Sequence, residues 1–101
     1  MDLSELPREV LIHIALQMDI PEVLSFCRLS QRIKRKVCDQ PYFWKLLLKI
    51  PGELLYKDGK FNWLLYFLLK YPNKNWSWDS VSYNSNITWE IVQKYPNLPW
   101  S

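Results

Sequence analysis

The stretch LPREVLIHIALQM, residues Leu6–Met18, decides the fold of the N-terminal half. Pro7 suits the first position of a helix because it lacks the backbone N–H that would have no partner there. Glu9 is favourable beside the positive end of the helix dipole. The pattern predicts a helix to about Met18 that is apolar on two faces, and both faces must then be buried. One face consists of Val10, Leu11, Ile14 and Met18, and the other of Ile12 and Leu16.

Prolines and a capping side chain divide the next segment into three further short helices. Pro21 opens the second helix with a residue that has no N–H to leave unpaired. Ser30 is a suitable N-cap for a third helix over residues 31–38. Pro41 begins a fourth, strongly apolar segment, which ends at Pro51-Gly52.

The C-terminal part has helix start and stop signals of the same kind. Asn62 can cap a helix over residues 63–71, and Thr88 can cap another over residues 89–95. Between them, a short helix is predicted near residues 77–83. Because no stretch alternates apolar and polar residues over a sustained length, the predicted fold class is all-α.

One segment of the C-terminal part occurs twice. KYPNKNWS at Lys70–Ser77 returns as KYPNLPWS at Lys94–Ser101, 24 residues later. This period is typical of stacked helical units. The second copy stops early, so we expect a truncated unit whose exposed end lacks a neighbour. We therefore divide the chain into an N-terminal helical domain (1–50), a linker (51–61) and a truncated helical repeat region (62–101).

The composition is that of one small globular domain or two very small ones: of 101 residues, 49% are hydrophobic and 23% are charged. Two glycines leave few positions for positive φ, which argues against a hairpin-rich β-fold. The net charge of +3 does not by itself indicate nucleic acid. We expect no secretory signal and no membrane segment. Cys27 and Cys38 are expected to be two reduced thiols, as in cytosolic or nuclear proteins.

No constellation of catalytic or metal-binding residues stands out. His13 is the only histidine, and it lies among aliphatic residues of the first helix without a local catalytic partner. Together with the two cysteines it has no recognisable zinc-ligand spacing. We find no glycine-rich phosphate loop and no pair of catalytic carboxylates. We therefore expect a protein without enzymatic activity, metal or cofactor.

A series of spaced features runs through the N-terminal half. In chain order they are Asp2-Leu3, Leu6-Pro7, Glu9-Val10-Leu11, Ile14, Met18-Asp19-Ile20, Val23-Leu24, Arg28-Leu29-Ser30 and Trp44. With this order and spacing, residues 2 to about 48 resemble the F-box. Two positions depart from the family: Ile33 stands where it often has a large aromatic residue, and Met18 replaces a frequent leucine. Both substitutions are tolerated in volume.

The resemblance implies a three-helix unit whose first helix and Leu-Pro corner bind a Skp-type adaptor. The adaptor then joins a cullin and a RING subunit, and the segment after the F-box holds the ubiquitylation target. The residue pattern agrees, because a short helical unit with a two-faced apolar helix cannot cover itself and an uncovered apolar patch marks an interaction site. The candidates for the adaptor-binding surface or its support are Leu6, Pro7, Val10, Leu11, Ile14, Val23, Leu24 and Leu29.

Residues 86–100 resemble the tandem repeats of giant amoeba-infecting DNA viruses, which have no known chemistry. This resemblance implies a viral adaptor that uses the ligase of its host, in the host cytoplasm or nucleus. Trp76, Trp78 and Trp100 are the candidates for target binding, and Trp100 is expected to be the most exposed tryptophan. For the tryptophans of this part as a group, however, we favour packing inside a stacked repeat over a binding platform.

The run from Arg28 to Lys36 contains five basic residues out of nine. One interpretation is a patch for nucleic acid, which would make the chain a small basic helical nucleic-acid binder. We favour the solvated face of the third helix, because Ile33 and Val37 supply a buried face and no aromatic stacking residues interleave. A viral scaffold protein without a ligase role is a further alternative.

Overall fold

The computed structural model describes residues 2–101, which form short α-helices and one small β-hairpin. The chain divides into two compact units, the first ending at Lys60 and the second comprising Phe61–Ser101. The predicted all-α fold class is confirmed. In the first unit a 3-10 turn, Leu3–Glu5, precedes α1 (Arg8–Ala15), α2 (Ile20–Arg28), α3 (Gln31–Lys36), α4 (Pro41–Leu48) and α5 (Gly52–Leu55). Then follow β1 (Tyr56–Lys57), β2 (Lys60–Phe61), α6 (Trp63–Lys70), α7 (Trp78–Ser82) and α8 (Trp89–Lys94).

Capping side chains begin two helices of the first unit. The N–H of Glu22 donates to Asp19 Oδ1 at 2.9 Å, and the N–H of Asp19 donates to Glu22 Oε1 at 3.2 Å. Ser30 Oγ accepts from the N–H of Ile33 at 3.1 Å, so the predicted cap of α3 is confirmed. The first helix is shorter than predicted and ends at Ala15, because the chain must turn before Asp19 can become an extended N-cap.

The first unit buries one face of α1 against the following helices. Leu11 and Ala15 are fully buried, whereas Val10 is 43% exposed and Ile14 is half-buried. The prediction that placed Leu11 on the same face as Val10 is therefore wrong. At about 100° per residue, Leu11 turns away from Val10 and shares the buried face with Ala15. The buried residues contributed by α2, α3 and α4 include Val23, Phe26, Ile33, Phe43 and Trp44.

A disulfide joins Cys27 in α2 to Cys38 after α3. The expectation of two reduced thiols is therefore wrong. The turn at Leu29-Ser30 folds α3 back against α2 and brings the two Cα atoms to 6.3 Å, a separation that a disulfide can bridge. Both residues are buried, and the sequence spacing did not reveal that their side chains meet.

The segment predicted as a linker, residues 51–61, contains α5 and the hairpin. Gly52 opens α5 where a Cβ atom would clash with the backbone of Pro41, so only glycine allows α5 to approach the start of α4 so closely. The hairpin turns through Asp58-Gly59, whose φ angles of 53° and 78° are both positive. Positive φ at both central residues is what a tight type I′ hairpin turn requires.

The second unit consists of three short helices with their own small core. Asn62 Oδ1 accepts from the N–H of Leu65 at 3.1 Å, and Thr88 Oγ1 accepts from the N–H of Ile91 at 3.4 Å. Both predicted caps are confirmed. Its buried residues are Leu65, Leu68, Val81 and Ile91. Across residues 2–101, no helix combines the length and the apolar character needed to cross a membrane.

Candidate docking surface

The Leu6-Pro7 corner connects the 3-10 turn to α1. Asp2 caps the turn by accepting a hydrogen bond from the Ser4 N–H at 3.0 Å, and this bond lowers the pKa of the Asp2 carboxyl. Leu6 and Pro7 then take extended conformations, with ψ angles of 149° and 151°, before α1 begins at Arg8. Leu6 is half-buried and Pro7 is exposed, so the corner leaves apolar surface open to solvent.

Three residues extend this apolar surface along one side of α1. Pro7, Val10 and Ile14 are spaced by three and four residues, so they share a face of the helix, and we call them the α1 stripe. The stripe points away from the core, since Pro7 and Val10 are exposed and Ile14 is half-buried. Leu3 is 49% exposed in the neighbouring 3-10 turn. It was not predicted as a site residue, although it stands at the start of the F-box-like series.

A second apolar surface follows α2. Leu29, one of the predicted docking residues, is 67% exposed directly after the helix, and Leu24 is half-buried within it. The groove beside Leu29 is mainly apolar, and Glu22 is its one charged lining residue. The lining residues are Met18, Pro21, Glu22, Ser25, Phe26 and Leu29.

Two predicted residues lie in the core instead of on the surface. Leu11 and Val23 are both 0% exposed, so they can support the candidate docking surface from beneath but cannot form part of it. Sequence reasoning could not separate Leu11 from Val10, because both are aliphatic residues of one helix and only packing distinguishes them. A polar substitution at Leu11 would therefore test folding and not binding.

The basic run on α3 is largely engaged within the chain. Lys34 Nζ forms an ion pair with Asp39 at 3.2 Å, and Arg35 Nε donates to a backbone carbonyl one turn earlier at 3.3 Å. Lys36 Nζ donates to two backbone carbonyls of the N-terminal corner. The predicted buried face of this segment is confirmed. Its members are Ile33 and Val37. These contacts favour a solvated helix face over a nucleic-acid patch.

In the second unit, two tryptophans are held in the same way. The indole N–H of Trp76 donates to the carbonyl of Tyr71, and that of Trp100 donates to the carbonyl of Tyr95, both at 2.8 Å. The two tyrosines follow their helices with nearly equal backbone angles, φ −127° and ψ 61° against φ −124° and ψ 63°. The duplicated sequence segment therefore forms the same local structure twice.

The candidate target-binding tryptophans are partly shielded. Trp76, Trp78 and Trp100 are each half-buried, and the rings of Trp78 and Trp100 meet edge to face with centroids 5.6 Å apart. The expectation that Trp100 is the most exposed tryptophan is wrong. Trp89 is 71% exposed, whereas Trp100 is held by its indole hydrogen bond and by Trp78.

The side chains that could act in catalysis or bind a metal do not cluster in the described part of the chain. His13 is exposed on α1, and both cysteines are joined in the disulfide. Within residues 2–101, no three or more His, Cys, Asp or Glu side chains come together as a metal site. The exposed surface at the Leu6-Pro7 corner, along the α1 stripe and in the groove beside Leu29 is mainly apolar.

Residues 3–45 match the family model of the F-box domain. The matched segment contains the 3-10 turn, the Leu6-Pro7 corner, α1, α2 and α3, and it reaches into α4. No curated protein and no solved structure matches the chain. The family match supports an F-box protein, and an F-box domain implies a general role as a non-catalytic adaptor in ubiquitin ligases of the Skp–cullin type.

Proposed function

We propose that this protein is a substrate-recognition adaptor of a Skp–cullin ubiquitin ligase. Its first unit binds the Skp-type adaptor, which joins a cullin, and its second unit holds a target for ubiquitylation. The observation that carries the proposal is the α1 stripe, because it leaves apolar side chains exposed within the segment that matches the F-box domain.

The α1 stripe suits a partner with an apolar binding face. A helix of the Skp-type adaptor laid along α1 would remove Pro7, Val10 and Ile14 from water. Burial of one aliphatic side chain contributes about 1.5–3 kcal/mol before the costs of association. A few such anchors at the centre of an interface can supply most of the binding energy of a complex.

Co-purification with a Skp-type adaptor tests this proposal. We expect the wild type to form a stable complex and Val10→Asp to form none, because the substitution places a charge within the apolar contact. Leu46→Asp is the matched control, since Leu46 is 53% exposed on α4, outside the proposed surface, and should bind like the wild type. Raising the salt concentration should change the wild-type affinity little. A folded wild type that stays unbound would refute the proposal.

For the second unit, we propose that Trp76, Trp78 and Trp100 contribute to target binding. Their half-buried rings leave aromatic surface that a target could contact.

The proposal of a viral origin, with action through a host ligase, rests on the resemblance of residues 86–100 to giant-virus repeats. Action through a host ligase would place the protein in the host cytoplasm or nucleus. The two cysteines do not support this location, because they form a disulfide. Pull-down from host lysate with and without residues 62–101 would test whether this part captures targets.

A further inference from the structure

The Leu6-Pro7 corner leaves two backbone carbonyls without the partners that a continuing helix would provide. In a 3-10 helix the carbonyl of Ser4 would accept from residue 7, but Pro7 has no N–H. Leu6 is extended, with ψ 149°, so its carbonyl leaves the helical path. Ser4 is only 2% exposed, and a buried carbonyl without a donor is costly.

Lys36, the last residue of α3, provides the donor for both carbonyls. Its Nζ lies 2.9 Å from the Ser4 oxygen and 3.1 Å from the Leu6 oxygen. These bonds span 32 and 30 residues of sequence, so they tie the corner to a helix far along the chain. A charged donor makes stronger hydrogen bonds than a neutral one, which makes the ammonium group well suited to this tie.

We propose that Lys36 is a positioning residue that holds the Leu6-Pro7 corner in the conformation that the Skp-type adaptor binds. The inference rests on the proposed function. The Lys36 ammonium group is directed at carbonyls of its own chain, so it acts through the corner. If the corner adopts the conformation that binds the adaptor for only a fraction of the time, the apparent association constant is multiplied by that fraction.

Hydrogen exchange tests whether Lys36 holds the corner. Lys36→Met keeps the apolar stem of the side chain and removes the ammonium group. The amides of Glu5 and Leu6, which are bonded within the 3-10 turn, should then exchange about tenfold faster. Lys36→Arg should restore slow exchange, and Lys45→Met, at an exposed lysine of α4, should leave it unchanged. Equal exchange in Lys36→Met and the wild type would overturn the inference.

Affinity for a purified Skp-type adaptor tests the positioning role. Lys36→Met should bind about tenfold more weakly, while Lys36→Arg and Lys45→Met should bind like the wild type. Faster exchange in Lys36→Met together with wild-type affinity would overturn the positioning role. Should circular dichroism show that Lys36→Met is unfolded, Lys36→Gln takes its place in both measurements.

The two proposals fail in distinguishable ways. Val10→Asp should abolish binding and leave the amides of Glu5 and Leu6 slow to exchange, because it changes the contact surface and not the tie to Lys36. If the wild type itself does not bind the adaptor, the proposed function fails and the docking role of Lys36 fails with it. The rate of amide hydrogen exchange at Glu5 and Leu6 in Lys36→Met then still decides whether Lys36 holds the corner.

Discussion

The two units of this chain place their tryptophans differently. In the first unit Trp44 is 0% exposed, and its indole N–H donates to the carbonyl of Cys38 inside the core at 2.8 Å. In the second unit Trp76 and Trp100 are only half-buried, and each bonds to a carbonyl five residues earlier. The first unit thus holds its tryptophan inside its core, whereas the second unit has a small aliphatic core and holds Trp76 and Trp100 outside it by a local contact that is repeated.

This difference has consequences for stability and for binding. A shared core fixes several helices at once, so the first unit can hold the α1 stripe and the Leu6-Pro7 corner in place. The second unit buries fewer residues, and a short helical repeat of this kind gains further stability when it stacks on neighbouring units. Removing the buried tryptophan of the first unit should therefore destabilise its unit more than removing an exposed tryptophan destabilises the second.

The largest effect is expected at Trp44. Trp44→Ala should lower the free energy of unfolding of the first unit by about 3–5 kcal/mol, because it empties a fully buried site and removes a buried hydrogen bond. Trp89→Ala, at a site that is 71% exposed in the second unit, should change the stability of its unit by less than about 0.5 kcal/mol. Urea unfolding followed by hydrogen exchange separates the two units. Equal losses at both positions would contradict the comparison.

An intermediate effect is expected from reduction of the Cys27–Cys38 disulfide. The bridge closes a short loop, since the cysteines are 11 residues apart, and a loop of this size corresponds to about 3 kcal/mol of chain entropy in the unfolded state. Dithiothreitol should therefore destabilise the first unit. The second unit contains no cysteine and serves as the internal control. An unfolding midpoint of the first unit that is unchanged by the reductant would refute this expectation.

The smallest effect is expected at the repeated indole contact. Trp76→Phe and Trp100→Phe each remove one hydrogen bond to a tyrosine carbonyl, and each should destabilise the second unit by about 1 kcal/mol. The two losses should be nearly equal because the contact has the same length, 2.8 Å, in both copies. Thermal unfolding of the two variants checks this, and a clearly unequal pair would show that the copies are not equivalent in energy.

Much of the helical pattern was predictable from the sequence because its signals act over three or four residues. Ser30, Asn62 and Thr88 each accept a hydrogen bond from the N–H three residues later, and all three were recognised as caps. The sequence also predicts that the Leu6-Pro7 corner and Val10 belong to a docking surface. That surface stays a prediction until binding is measured.

Other features required contacts between residues that are distant in sequence. Leu11 could not be distinguished from Val10 until α1 packed against its neighbours, and the Cys27–Cys38 disulfide depends on how α3 folds back on α2. Trp100 was expected on the surface, although its indole group bonds back to the chain.

The sequence by itself determined where most of the α-helices begin, that the fold is helical, and that residues 3–45 match an F-box domain. Proline geometry, cap hydrogen bonds and residue spacing are local properties of the chain, so they can be read without knowledge of packing. Only the tertiary structure decided which face of α1 stays exposed and that Lys36 donates hydrogen bonds to the carbonyls of Ser4 and Leu6. Both outcomes depend on contacts between elements that are distant in the sequence, 32 and 30 residues apart for the two hydrogen bonds of Lys36, and no local signal encodes such contacts.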